Sequence, residues 1–145
     1  MEIRTREVIA KTRRGLQEIY GEQLDQVILF GSQARGEAQP DSDIDILIVL
    51  KGYFNYSQES DRISILIADL CLEHNVLISC AFTTHEQFQH YNNAFFRNIR
   101  REGLPVWTKN KQGYLRKLLE SKYRFTSACI FLNFYLTILY HCEGI

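Results

Sequence analysis

Residues 27–49 read VILFGSQARGEAQPDSDIDILIV. The apolar run over 26–30 closes on Gly31 and Ser32, and a second run over 44–50 (IDILIVL) ends at Lys51 and Gly52. Short apolar runs bounded by turn residues predict buried strands. Between them, SQARGEAQPDSD begins as a helical turn started by Ser32, and Gln39-Pro40-Asp41 breaks it. The stretch is therefore expected to form strand, turn, short helix, loop, strand.

The flanking sequence supplies cover for these strands. Over 4–22, Val8, Ile9, Leu16, Ile19 and Tyr20 fall near helical spacing among Arg, Lys and Glu, which predicts an amphipathic helix ending near Gly21. Over 57–74, Ile63, Leu66, Ile67, Leu70 and Cys71 form one stripe, so a second helix precedes a third apolar run over 76–82 (VLISCAF). Thr84 is placed to cap a helix running towards Arg101, with Glu86 and Gln87 behind it. Gly103 and Pro105 end that helix and leave 105–108 extended. The pattern is α/β (α+β): a small mixed β-sheet flanked by helices over residues 1–108. Residues 109–145 are expected to be a basic, then apolar, C-terminal helical segment. Its 125–142 stretch has no charged residue. Length permits a membrane anchor there, but Thr126, Ser127, Asn133, Thr137 and His141 are costly inside a span, so packing against the domain or a partner is expected and no membrane is, and a homo-oligomer is left open.

The 145 residues carry 46% hydrophobic and 23% charged side chains, the mix of a chain that buries a core. Seventeen basic side chains balance seventeen acidic ones, which argues against stable nucleic-acid binding. That neutrality is a cancellation: residues 37–75 hold eight acids against two bases, and 76–145 hold nine bases against four acids. The four cysteines form no C-x-x-C, and the four histidines lack zinc-ligand spacing, so buried thiols in a reducing cytoplasm are expected. The N-terminus MEIRTREVIAKTRR has no apolar stretch and reads as neither a secretory signal nor an anchor.

The chemistry centres on Gly31-Ser32 and, ten residues on, Asp43-Ile44-Asp45. Carboxylates two apart on a strand share a face, with Ile44 turned into the core. Such a pair repels itself unless a cation intervenes, and hard oxygen donors without His or Cys favour Mg²⁺ over zinc. Gly31 permits a close backbone approach, and Ser32 offers N–H and hydroxyl donors to an anion. Gly31 and Gly36 also satisfy G-x-x-x-x-G, but Glu37 and Ala38 stand where a P-loop needs Lys and Ser or Thr, so that reading fails.

The motif GSQARGEAQPDSDID resembles the GS-x10-D-x-D signature of the DNA polymerase beta-like nucleotidyltransferase superfamily, and VILFGSQARGE with SDIDILIV is similar to its minimal nucleotidyltransferase (MNT) family over roughly residues 20–108. The resemblance implies the polymerase beta-like fold and transfer of a nucleoside monophosphate from a metal-bound triphosphate to a hydroxyl. It implies that Asp43 and Asp45 bind Mg²⁺ as the catalytic pair, and that Gly31 and Ser32 hold the phosphates of ATP. Arg35 either adds a triphosphate contact or braces the loop against Glu37 or Asp41. The family's third carboxylate, located from Thr84-His85-Glu86-Gln87-Phe88, falls at Ser79, which cannot act as a carboxylate base or bind a second metal strongly. Minimal nucleotidyltransferases are similar to antitoxins whose acceptor is a tyrosine of a HEPN-family RNase toxin, so the resemblance implies AMP transfer to such a partner. The alternatives are a catalytically impaired module that neutralises its partner by docking and, less favoured, an aminoglycoside nucleotidyltransferase, which normally needs a further domain.

Overall fold

The computed structural model describes residues 3–110. The expectation for the basic and apolar segment falls, from residue 111 on, outside the described residues. Helix α1 (Ile3–Tyr20) passes through a 3-10 turn (Gly21–Gln23) into β1 (Leu24–Phe30), and the short α2 (Gly31–Arg35) follows. After a loop come β2 (Ile44–Leu50), α3 (Tyr56–His74), β3 (Ile78–Thr84), α4 (His85–His90), α5 (Ala94–Glu102) and β4 (Leu104–Thr108). The four strands form one sheet in the order β3-β2-β1-β4. β1 is antiparallel to both β2 and β4, whereas β2 and β3 run parallel with α3 as their crossover. The sheet is small and mixed, with helices on it, as the apolar runs predict.

Alternation along the strands sends side chains to two faces. Val27 and Leu29 of β1, Ile44, Ile46, Ile48 and Leu50 of β2, and Ile78 and Phe82 of β3 form one core with Val8, Ile9, Leu16 and Tyr20 of α1 and Ile63 and Leu70 of α3. Ile28, Leu47 and Val49 point the other way, onto Phe88 of α4 and Phe96 and Ile99 of α5. A strand covered on both sides has no polar alternation to show, which is why IDILIVL reads as an unbroken apolar run apart from Asp45.

Helix ends follow local chemistry. The Asn55 side chain accepts from Gln58 N–H at 3.2 Å to open α3, and Asn75 closes it in the left-handed region at φ 49°. Thr84 caps α4 in a full capping box with Gln87, as the sequence predicts. The single helix expected from Thr84 to Arg101 is instead two. The chain leaves helical geometry after His90, and the Asn93 side chain accepts from Phe96 N–H at 2.8 Å to start α5 afresh. A side-chain acceptor at Asn93 competes with continued backbone pairing, and the break lets Phe88 and Phe96 meet at 6.2 Å over the sheet. The expected start of the short helix at Ser32 also shifts: α2 begins at Gly31, with Phe30 extended before it and no side-chain cap. The third strand begins two residues later than the apolar run: Val76 N–H still donates back to Cys71 O at 3.2 Å, and pairing with β2 starts at Ile78.

Candidate active site

Asp45 lies in β2 between Ile44 and Ile46, both buried in the core under α1 and α3. Its carboxylate therefore projects to the opposite face, the one covered further along by α4 and α5. Phe30 is its cross-strand neighbour on β1 and Ser79 its neighbour on β3. Asp43, two residues earlier, is exposed where the chain enters the strand.

Gly31 is fitted to this carboxylate by two constraints. Its φ is +70°, a region that favours glycine, and a Cβ at this position would overlap Asp45 Oδ2. Main chain and carboxylate thus meet with no room for a side chain. Ser32 follows, partly buried, and its carbonyl accepts from the N–H groups of Gly36 and, at 3.0 Å, Glu37. Gly36 ends α2 at φ +74°, the left-handed stop that turns the chain back towards β2.

The connecting loop is pinned from inside. Gln39 and Ser42 close a turn around Pro40, with Ser42 N–H donating to Gln39 O at 3.0 Å and Gln39 N–H donating to Ser42 Oγ at 2.8 Å. Gln33, a buried polar side chain of α2, donates from Nε2 to Ser42 O at 3.4 Å. That bond ties the helix after Gly31 to the residue before Asp43. Gln33 and Ser42 are the positioning residues that the sequence reading misses, since a glutamine in a polar turn carries no signal of burial.

Electrostatics mark the site as carrying excess negative charge. Burial, and then the neighbouring Asp43, push the Asp45 carboxyl above the usual range, and Arg35 opposes them. Arg35 itself donates from Nε to Glu37 Oε2 at 2.7 Å, lies 3.9 Å from Glu102 of α5, and is held further protonated by Glu37. Arg35 thus braces the loop against Glu37, while its charge still reaches Asp45. Asp43, Asp45 and Gly31 are brought together. Ser79, where the third carboxylate was expected, is exposed on the same face as Asp45. Among the described residues no three His, Cys, Asp or Glu side chains gather into a metal cage.

Elsewhere, His85 Nδ1 meets Asp25 Oδ2 at 2.6 Å, and Glu73 pairs with Lys11 at 2.6 Å. Both lie outside the aspartate pair. Cys71 and Cys80 are free thiols packed against the core, and burial pushes the Cys80 thiol up to about 12. Among the described residues no helix is long and apolar enough to cross a membrane.

Comparison with known proteins gives a consistent picture. The profile of the Nucleotidyltransferase domain family matches residues 9–118. Two proteins of Methanocaldococcus jannaschii, each carrying an inferred protein adenylyltransferase assignment, are similar to the chain. One is 37% identical over 97 residues, covering 63% of this chain and 87% of that protein. The other is 36% identical over 73 residues, covering 50% and 73%. Among solved structures, a toxin-antitoxin with AMP-PNP has a TM-score of 0.50 at 14% identity and covers 91% of this chain and 92% of its own. A mutant MntA-HpeT toxin-antitoxin has a TM-score of 0.50 at 13% identity, covering 90% and 91%. At such identities the likeness is one of fold.

Proposed function

Because the chain belongs to the nucleotidyltransferase domain family, we propose that it moves AMP from ATP to a hydroxyl of a partner protein. The observation that carries this reading is the seating of Asp45 against Gly31. It brings a carboxylate pair and the turn expected to hold phosphates to one place, as transfer from a metal-bound triphosphate requires. The donor set fits magnesium. It is all oxygen, its inner carboxyl is pushed up by burial and then by the neighbouring Asp43, and Mg²⁺ is usually held by one or two carboxylates with water and substrate phosphates completing the shell. Asp43 and Asp45 would hold the ion, whose chemistry when bound is to neutralise charge on the phosphate oxygens.

The chain's own residues supply positioning, which is most of what phosphoryl chemistry asks of a protein. Gly31 and Ser32 present main-chain and hydroxyl donors to the β,γ-phosphates. Gln33 holds that turn in register with the aspartates through Ser42. Arg35 can exchange Glu37 for a phosphate oxygen, since both are anions and the ion pair is partly exposed. Transfer to a partner protein is supported by the protein adenylyltransferase relatives and a toxin as that partner by the toxin-antitoxin neighbours in fold, while the HEPN class of that toxin rests on the motif resemblance alone. The setting is cytoplasmic.

Incubation with α-labelled ATP, Mg²⁺ and a co-expressed toxin partner tests the reading. Label should pass to the partner and fall on the order of 10²-fold or more in Asp43→Asn and Asp45→Asn, the scale of removing one preorganised electrostatic contact. Transfer unchanged in the double variant would sink it. A second reading, a docking module that neutralises its partner without transfer, draws on Ser79 standing where the family has a carboxylate. In that case the double variant still inhibits the partner.

A further inference from the structure

Three strands carry the site, and their order across the sheet assigns each a place. Ser79 is on β3, Asp45 beside it on β2, and Gly31 at the end of β1 on the far side of Asp45. In the reading above, the leaving pyrophosphate lies over the Gly31-Ser32 turn and the α-phosphate over the aspartates. An in-line displacement then needs its nucleophile on the side opposite Gly31, which is the β3 side. The residue standing there carries a hydroxyl. Ser79 is exposed, is the register partner of Asp45, and shares its face, because Ile78 is turned into the core as Ile44 and Ile46 are. Neighbouring strands are about 4.8 Å apart, so the backbones of Ser79 and Asp45 are separated by one strand spacing, with both side chains on the face where the metal and the reacting phosphate would lie. A carboxylate at this position would deprotonate an incoming acceptor, whereas a serine is itself an acceptor.

From this row of hydroxyl, carboxylate and phosphate turn we infer that Ser79 is an internal acceptor, and that the chain adenylylates itself there. The inference rests on the proposed nucleotidyltransferase reading. The Oγ–Pα bond forms as the Pα–O bond to the β-phosphate breaks. The bonding pair leaves with pyrophosphate, and the hydroxyl proton passes to solvent, to which Ser79 is open. The product is a phosphodiester joining AMP to Ser79 over the aspartate pair, where it blocks entry of a second triphosphate. With Asp43 and Asp45 assigned to the metal and no third carboxylate left to act as base, the step is slow and happens once per chain, so it acts as an off-switch rather than a turnover.

The test uses the full chain alone, with Mg²⁺ and ATP labelled at either the α- or the γ-phosphate, and follows the intact mass and the peptide bearing Ser79. Expected is α-label on that peptide, none from γ-labelled ATP, and loss of label to background in Ser79→Ala with partial retention in Ser79→Thr. Binding of α,β-methylene-ATP with Mg²⁺, read as a thermal shift, is measured on the same proteins and should be equal in wild type and Ser79→Ala. An unlabelled chain that still binds the analogue overturns the serine acceptor and leaves the nucleotide reading standing. Label that persists in Ser79→Ala also overturns it. Absence of analogue binding in the wild type overturns both.

Discussion

Asp45 is the residue on which stability and activity pull in opposite directions. Its carboxyl is pushed up by burial first and by Asp43 second, so the folded chain keeps that proton to a higher pH than the unfolded chain does. Stability from this group is therefore lost as pH rises through the window between the unfolded and folded values. Asp45→Asn removes the charge while keeping the shape. In thermal unfolding of the nucleotide-free protein it should melt above wild type at neutral pH, and the two curves should converge below about pH 4. The same variant should lose Mg²⁺-dependent nucleotide binding. Gly31 makes the complementary prediction. A methyl group there meets both a positive φ and Asp45 Oδ2, so Gly31→Ala should cost roughly 1–3 kcal/mol in denaturant unfolding and weaken nucleotide binding as well. Gly36→Ala, with an open surround and a similar φ, should cost the strain without the binding defect. The Gly31-Ser32 and Asp43-Asp45 spacing is legible in sequence because strand period and turn chemistry fix it. The steric seat of the carboxylate on Gly31 is not, since it depends on how β1 and β2 are registered.

Elements were legible to the extent that their ends were local. The strand, turn and strand over residues 24–50 are written in apolar runs and breakers, and α3 in a stripe, although its caps at Asn55 and Asn75 emerge only in the structure. The break between α4 and α5 was not. Nothing in an apolar periodicity running through Phe88, Phe95, Phe96 and Ile99 marks it, and asparagine is only a weak helix breaker until its side chain captures an N–H. Asn93→Ala should therefore destabilise the domain by about 1 kcal/mol in chemical denaturation, as cap losses do, while Asn92→Ala leaves the midpoint nearly unchanged. The pairing of β4 with β1 was likewise hidden, since residues 104–108 show only an extended piece and their partner lies far back in the chain. Pro105 is at home there because β4 is an edge strand. The link from α2 to the loop belongs to this scale too. Gln33→Ala should leave secondary structure intact by circular dichroism but weaken Mg²⁺-nucleotide binding, since the turn and the aspartates then lose their common tie.

Across the described residues, two cores on opposite faces of one sheet share the same strands, and the aspartates, Gly31 and Ser79 lie at the end of one face. Because ligand binding to the folded form adds to stability, Mg²⁺ and nucleotide together should raise the melting temperature more than the sum of either alone, the whole stabilisation being about 2.7 kcal/mol at a hundredfold excess over Kd. Asp43→Asn should abolish the synergy. Strand order also sets a sequence of events as the chain folds. β1 and β2 are joined by residues 31–43 alone, so their pairing closes a short loop, whereas β3 must wait for α3 and β4 must return from residue 104 to find β1. Near contacts form sooner than distant ones. The seat of Asp45 on Gly31 therefore belongs to the earliest long-lived pairing, and the serine across from it arrives only with the crossover. A chain emerging from synthesis would hold its phosphate-handling half before it holds the residue that, by our inference, shuts that half off.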